Sequence, residues 1–359
     1  MSALVEPSSS APPHRRTDAP VARAPDAAKS WSSLSVVDEI AALADEWRAL
    51  EDRALVTPYQ AYGWVRPFTD TVGAAERMAF RYAVLRDAGG AALAILPLVI
   101  TRRSGIRFAE FIGGKHANYH MGIYDPAFAA GLDAAGARLM LAEIGAAIGG
   151  LDAFIFVNQP TQWQGVPNPL AQLAGGPSPS GAYKLALVPG DGEGSLRRSM
   201  SSHAHKKLKN KRNRFVTYGP SEMVRARTPA EIARVIDAFL RQKAARFAMM
   251  GIADPFAPPA VRRFLERGAQ ADGDRPPVLE LYSLDVAGQS VATYVGAVQA
   301  GRFSGMATSF AMDSEVAKTS PGEILLVEAS PSSISASGKP ATRRRSATSA
   351  TTSSTASCR

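Results

Sequence analysis

The sequence predicts an α/β chain built from two similar domains in tandem. Alternating or wholly apolar runs of strand length are interleaved with longer segments of helical periodicity. The same order then occurs twice: strand, glycine-containing turn, strand, strand, helix. The correspondence is one of order and not of residues. With 359 residues, 46% hydrophobic and 20% charged, the chain can bury sizeable cores and is too apolar to be wholly disordered. A single cysteine, with no Cys-x-x-Cys spacing, excludes a disulfide framework and a cysteine-rich metal site, and with only five histidines in the chain a structural zinc site is not expected.

Residues 1–30, rich in Ser, Pro and Ala, read as a disordered arm. Order begins near Trp31. Asp38–Leu50 sets Ile40, Leu43, Ala44 and Trp47 at helical spacing, and Tyr62, Trp64 and Phe68 read as core. Phe80–Arg86 alternates, and Asp87-Ala88-Gly89-Gly90 turns it into a second strand, Ala91–Thr101. Phe108–Ile112 and Met121–Tyr124 are short apolar runs. Leu132–Ile148 is helical up to Gly149-Gly150, and Ala153–Val157 reads as a buried strand.

In the second half, Thr228-Pro229-Ala230-Glu231 is a capping box with proline at the first helical position. Ile232, Val235, Ile236, Phe239, Leu240 and Phe247 share a face, and Gly251 can end the helix. A second helix after Pro258-Pro259 turns Val261, Phe264 and Leu265 inward. Strands are expected at Val278–Val286, Ser290–Val298 and Phe303–Phe310, the first two joined by Ala287-Gly288-Gln289. Ser320-Pro321-Gly322-Glu323 opens a helix through Val327. The expected organisation is an arm (1–30), a first domain (31–176), a linker (177–199), a second domain (200–329) and a disordered tail (330–359). Cys358 lies in that tail and is discarded as a nucleophile.

The net charge of +9 is local. Eight Lys or Arg residues and no acid lie between Ser195 and Ser221, and five more lie between Ser330 and Arg359, again without an acid. The remainder is slightly acidic. This pattern favours one phosphate contact over general nucleic-acid affinity, and no RNA-recognition motif with interleaved aromatics accompanies it. The plain alternative for the first run is a solvated helix face. Ala91–Ile100, the most apolar run, is about half the length of a membrane span and contains Pro97. The first thirty residues hold Arg15 and Arg16 but no apolar core, so neither a secretory nor a twin-arginine signal fits and a cytoplasmic protein is expected.

Four strings occur in an unusual combination. They are Gly113-Gly114-Lys115-His116-Ala117-Asn118-Tyr119-His120; Asn158-Gln159-Pro160 with Trp163, Gly165 and Asn168-Pro169-Leu170; Lys206-Lys207-Leu208-Lys209-Asn210-Lys211-Arg212; and Arg302-Phe303-Ser304-Gly305-Met306 leading to Ser309, Asp313, Ala317-Lys318 and Ser320-Pro321-Gly322-Glu323. Over about residues 31–328 they resemble the GNAT-type acetyltransferases of the cellulose-biosynthesis CelD/BcsL kind, relatives of the FemAB aminoacyl transferases. The resemblance implies two tandem GNAT-like domains with mixed sheets. It also implies transfer of an acyl group from acetyl-CoA or another acyl-CoA to a small-molecule or sugar amine, without a metal, in polysaccharide or envelope metabolism.

On that resemblance Phe303–Phe310 is the donor-side strand, with Ser304, Gly305 and Met306 against the thioester. Ser320, Pro321, Gly322 and Glu323 form the phosphate-side helix start, with Lys207, Lys211 and Arg212 as a ledge. Ala311–Gly322 departs from the usual Gln/Arg-x-x-Gly-x-Gly/Ala pattern. Glu280 is the best-placed base, and Tyr282 and Tyr294 are candidates to protonate the thiolate. His116, Asn118, Tyr119 and His120, in one inter-strand loop, and Gln159 could line the acceptor pocket or merely satisfy loop backbone groups. Two alternatives stay open: a FemAB-like transfer from aminoacyl-tRNA, and an inactive scaffold of a polysaccharide-synthesis system.

Members of that family continue past the last helix into a further strand and a Gly-x-Gly/Asp-Glu-x-Tyr-Lys-like string. Here the second domain is expected to lack its final strand. From Ser346, permitted codon choices read in the shifted frame give GDERYNEQHRFLP, which predicts a frameshift in the coding region and an open sheet edge prone to aggregation.

Overall fold

The computed structural model describes residues 29–173, 175–178, 181–334 and 353–354. The expected disorder of residues 1–28 and of most of the tail, Cys358 included, lies outside the described residues. The expected strands, joined by one unexpected short edge strand in each half, form two antiparallel meanders. In the first half β1 (Ser33–Val37), β2 (Ala79–Arg86), β3 (Ala92–Arg103) and β4 (Ile106–Phe111) lie in sequence order, β5 (Ile123–Tyr124) pairs with β3, and β6 (Ala153–Ile155) runs parallel to β4, which makes this sheet mixed. In the second half β7 (Ser221–Arg225), β8 (Leu279–Val286), β9 (Gln289–Gln299) and β10 (Arg302–Phe310) form a four-stranded sheet in the same order. A helix follows each meander: α4 (Ala134–Ile148) in the first half and α9 (Pro321–Ile334) in the second. The tandem α/β order read from sequence is therefore present.

Several boundaries differ for local reasons. The first helix is split into a 3₁₀ turn, Ile40–Leu43, and α1 (Ala44–Glu51). α2 spans Tyr62–Phe68. Asp125 accepts from the backbone of Ala127 and Phe128 and starts a separate α3 (Pro126–Gly131), whereas Asp133 caps α4. β6 is half-buried and Val157 is exposed, so Ala153–Val157 is not the buried strand expected. The segment read as a linker carries α5 (Gly192–Ser199), and the basic run forms α6 (Ser202–Phe215), capped by Ser201 and burying Leu208 and Phe215. α7 (Pro229–Met250) starts at the reciprocal Thr228–Glu231 capping box and ends on Gly251 in the left-handed region, and α8 (Pro259–Gly268) follows.

Alternation gives the second sheet two packed faces. Leu279, Leu281, Val295 and Ala297 face α7 and α8 and belong to a core continuous with the first half through Trp64, Phe68 and Phe264. Tyr282, Leu284 and Ala292 pack against Leu208 of α6 and against Ile324 and Leu325 of α9. The strand β10 thus lies where both halves and α9 can reach it.

Candidate functional site

The site is built on β10. Val295 of β9 pairs with Ala307, but the next residue, Gly296, pairs with Gly305, so Met306 is an extra residue and the strand bulges there. A bulge takes backbone groups out of the ladder and re-aims them. Two glycines make room for the aromatic side chains around it. A Cβ at Gly296 would fall 2.1 Å from the Phe303 ring, and one at Gly305 would fall 1.8 Å from the Tyr294 hydroxyl. Burial pushes that hydroxyl up to about 12, so it is a protonated donor at neutral pH.

Beside the bulge the first half closes over β10. Asn118 Nδ2 donates to the Gly305 carbonyl at 2.6 Å, and the Tyr59 and Ser304 hydroxyls share a hydrogen bond of 2.8 Å. Tyr59 comes from a 3₁₀ turn, Pro58–Gln60, opened by Thr57, and burial raises its phenol strongly. Tyr119 packs between Tyr59 and Trp163, and Arg302 lies over Trp163. Of the proposed acceptor residues, Asn118 and Tyr119 therefore reach β10. His116 packs between Phe68 and Phe256, His120 stacks on Phe111, and Gln159 donates to the His120 carbonyl and accepts from Asn168. Burial lowers both imidazoles to about 4.

On the α9 side, Glu280 is 9% exposed and its carboxylate is engaged by Arg225 and by the Tyr282 hydroxyl. Burial and that carboxylate raise the Tyr282 phenol, and Tyr282 itself is fully buried. Tyr294 is directly opposite Tyr282 in the β8–β9 register.

The candidate phosphate residues lie on a groove of about 560 Å³ lined by His203, Lys206, Lys207, Asn210, Lys211, Arg214, Lys318 and Thr319. It runs between α6 and the 3₁₀ turn Glu315–Thr319 that leads, through Ser320 at φ 58°, into α9. Lys211 pairs with Glu323, whereas Arg212 pairs with Glu328 outside the groove lining. A Cβ at Gly322 would contact Thr308 Oγ1 at 3.4 Å, which places the start of α9 beside β10 two residues past the bulge. Sequence reading omitted Tyr59 and did not assign roles to Lys206, Lys318 or Arg302, although Lys206, Lys318 and Arg302 stood inside strings already singled out.

Residues 202–332 match the family model described as the Acetyltransferase (GNAT) domain. The match runs from the start of α6 into α9. No curated protein matches the chain. Among solved structures, a conserved protein of unknown function from Bacteroides thetaiotaomicron is similar at 14% identity and a TM-score of 0.48, over 84% of this chain and 88% of that one. The C-terminal domain of a "Putative Lysylphosphatidylglycerol Synthetase" from Agrobacterium fabrum is similar at 13% identity and a TM-score of 0.46, over 83% of this chain and 76% of that one. Among the described residues no helix is long and apolar enough to cross a membrane, and no group of three or more His, Cys, Asp or Glu could hold a metal ion.

Proposed function

We propose that the chain transfers an acyl group from a CoA thioester to an amine. The observation that carries this reading is the cationic groove ending at the start of α9, which abuts the bulged strand β10. The donor's phosphates would lie among Lys206, Lys207, Lys211, Arg214 and Lys318. Its thioester would run past Thr308 to the bulge, where a backbone N–H freed at Met306 can meet the carbonyl oxygen. The residues fit such a group: side-chain charge from α6 replaces the glycine-rich cradle that Ala311–Gly322 does not have. The amine nitrogen attacks the carbonyl carbon, a C–N bond forms and the C–S bond breaks. Tyr294 donates its proton to the departing thiolate. Glu280, oriented by Arg225 and Tyr282, takes up the proton released by the amine. Asn118 and Tyr119 line the acceptor side.

Calorimetric titration with acetyl-CoA, longer acyl-CoAs and tRNA tests the donor. A CoA thioester should bind, and replacing Lys206, Lys207 and Lys318 by glutamine should weaken it by about 10-fold or more while reducing the salt dependence. Binding of tRNA alone would replace this reading by aminoacyl transfer, and binding of neither would leave a scaffold. Envelope or polysaccharide amines are the acceptors to screen first.

A further inference from the structure

Arg302 opens β10 on the side facing the first half. Its guanidinium carbon lies 3.9 Å from the centroid of the Trp163 ring and 6.0 Å from that of Tyr119. Arg225 and Arg234, on neighbouring elements of the same half, each pair with a carboxylate. Among the described residues the Arg302 guanidinium has no ion-pair or hydrogen-bond partner. It is half-buried, and burial works against its charge, which the phenols of Tyr119 and Tyr59 offset only in part. A guanidinium held partly out of water without an anion is a standing cost.

The platform beneath it is fixed in advance. Trp163 Nε1 donates to the Val56 carbonyl at 2.9 Å, the Tyr119 ring meets the Trp163 ring edge-on at 5.2 Å, and Tyr59 is tied to Ser304. Aromatic contact on one face leaves the N–H edge of an arginine available. That edge matches the two oxygens of a carboxylate.

We infer that Arg302, seated on Trp163 at the start of β10, binds the carboxylate of an amine acceptor. A lone guanidinium among phenols balances one negative charge, whereas the cations suited to phosphates are gathered on the other side, along α6. Arg302 and the bulge belong to one strand, three residues from Arg302 to Gly305, so an acceptor anchored at the first presents its amine toward the second. Calling the ligand the acceptor rests on the acyl-transfer reading; the carboxylate site does not.

The test is calorimetric titration of the full chain with glycine, alanine, phenylalanine and glycylglycine, each beside its carboxamide, and with inorganic phosphate. At least one acid should bind 10-fold or more tightly than its amide. Arg302→Met, melting like the parent, should abolish that preference. Arg302→Lys, which keeps the charge but not the fork, should weaken the acid at least threefold, and decides the matter if the methionine variant does not fold. Equal binding of acid and amide, a preference unchanged in a folded variant, no binding of any acid, or binding of phosphate but not of carboxylates would overturn the proposal. Acetyl-CoA is titrated into the parent in the same series. Carboxylate binding that depends on Arg302, without CoA binding, would overturn the donor reading alone.

Discussion

At the scale of single residues, the chemistry assigned to Tyr294 can be separated from packing. Its hydroxyl reaches over Gly305 and stays protonated, with burial pushing it up to about 12. Tyr294→Phe removes one oxygen and should lower kcat by about 100-fold while leaving CoA affinity within a factor of two, read from steady-state kinetics beside calorimetry. Loss of affinity with kcat intact would make Tyr294 a binding residue. The histidines have a different part. Burial lowers His116 and His120 to about 4, against an ordinary value of 6.5, so the unfolded chain binds more protons than the folded one between those limits. The stabilisation from each neutral ring is complete above pH 6.5 and is lost as pH falls toward 4, about 3 kcal/mol for each ring. Urea unfolding of the parent should show that loss between pH 6.5 and 4.5, and His120→Phe, which keeps the stack on Phe111, should remove about half of it. The sequence places Asn118, Tyr119 and both histidines in one loop, and nothing in their spacing separates those that reach β10 from those that turn into the core. Tyr59 was not legible at all, because its hydroxyl meets Ser304 across 245 positions of chain.

At the scale of elements, what was readable followed from capping and periodicity. Thr228 accepts from the Glu231 backbone and Glu231 reaches back to Thr228, as the spacing of the box demands. Thr228→Ala should cost about 1 kcal/mol, seen as a lower urea midpoint with an unchanged slope. An unchanged midpoint would mean that tertiary packing alone holds the start of α7. The missed elements lacked such signals. β1 and β7 are five-residue edge strands with no fully buried side chain, so neither shows a clean alternation. α6 was readable only as the solvated-helix alternative for the basic run, because it buries only Leu208 and Phe215, one residue in each two turns, and its charge hides its helical period. The bulge at Met306 depends on the register between β9 and β10, which a sequence alone does not set.

At the scale of the molecule, the repeat read from sequence suggests two similar domains, and the core runs through both halves. Phe264 of the second half packs edge-on against Trp64 at 5.1 Å and against Phe68 at 5.6 Å, and is almost fully buried. Ion pairs follow the same seam, Arg48 with Asp272 and Arg275 with Asp52. Apolar contact of this kind couples unfolding where an exposed ion pair does so weakly. All four tryptophans, at positions 31, 47, 64 and 163, belong to the first half, so their fluorescence reports on that half, while far-UV circular dichroism reports on both. The two signals should give one coincident transition in urea. Phe264→Ala leaves a cavity at the seam and should cost about 3–5 kcal/mol. Because the lesion lies in the second half, an equal shift of the tryptophan transition is the deciding result: it means that the first half cannot remain folded once its neighbour is lost. A shift confined to circular dichroism, with tryptophan fluorescence unmoved, would show two units that fold alone and would leave the closure of Asn118, Tyr119 and Trp163 over β10 as a movable contact instead of a fixed wall of the site.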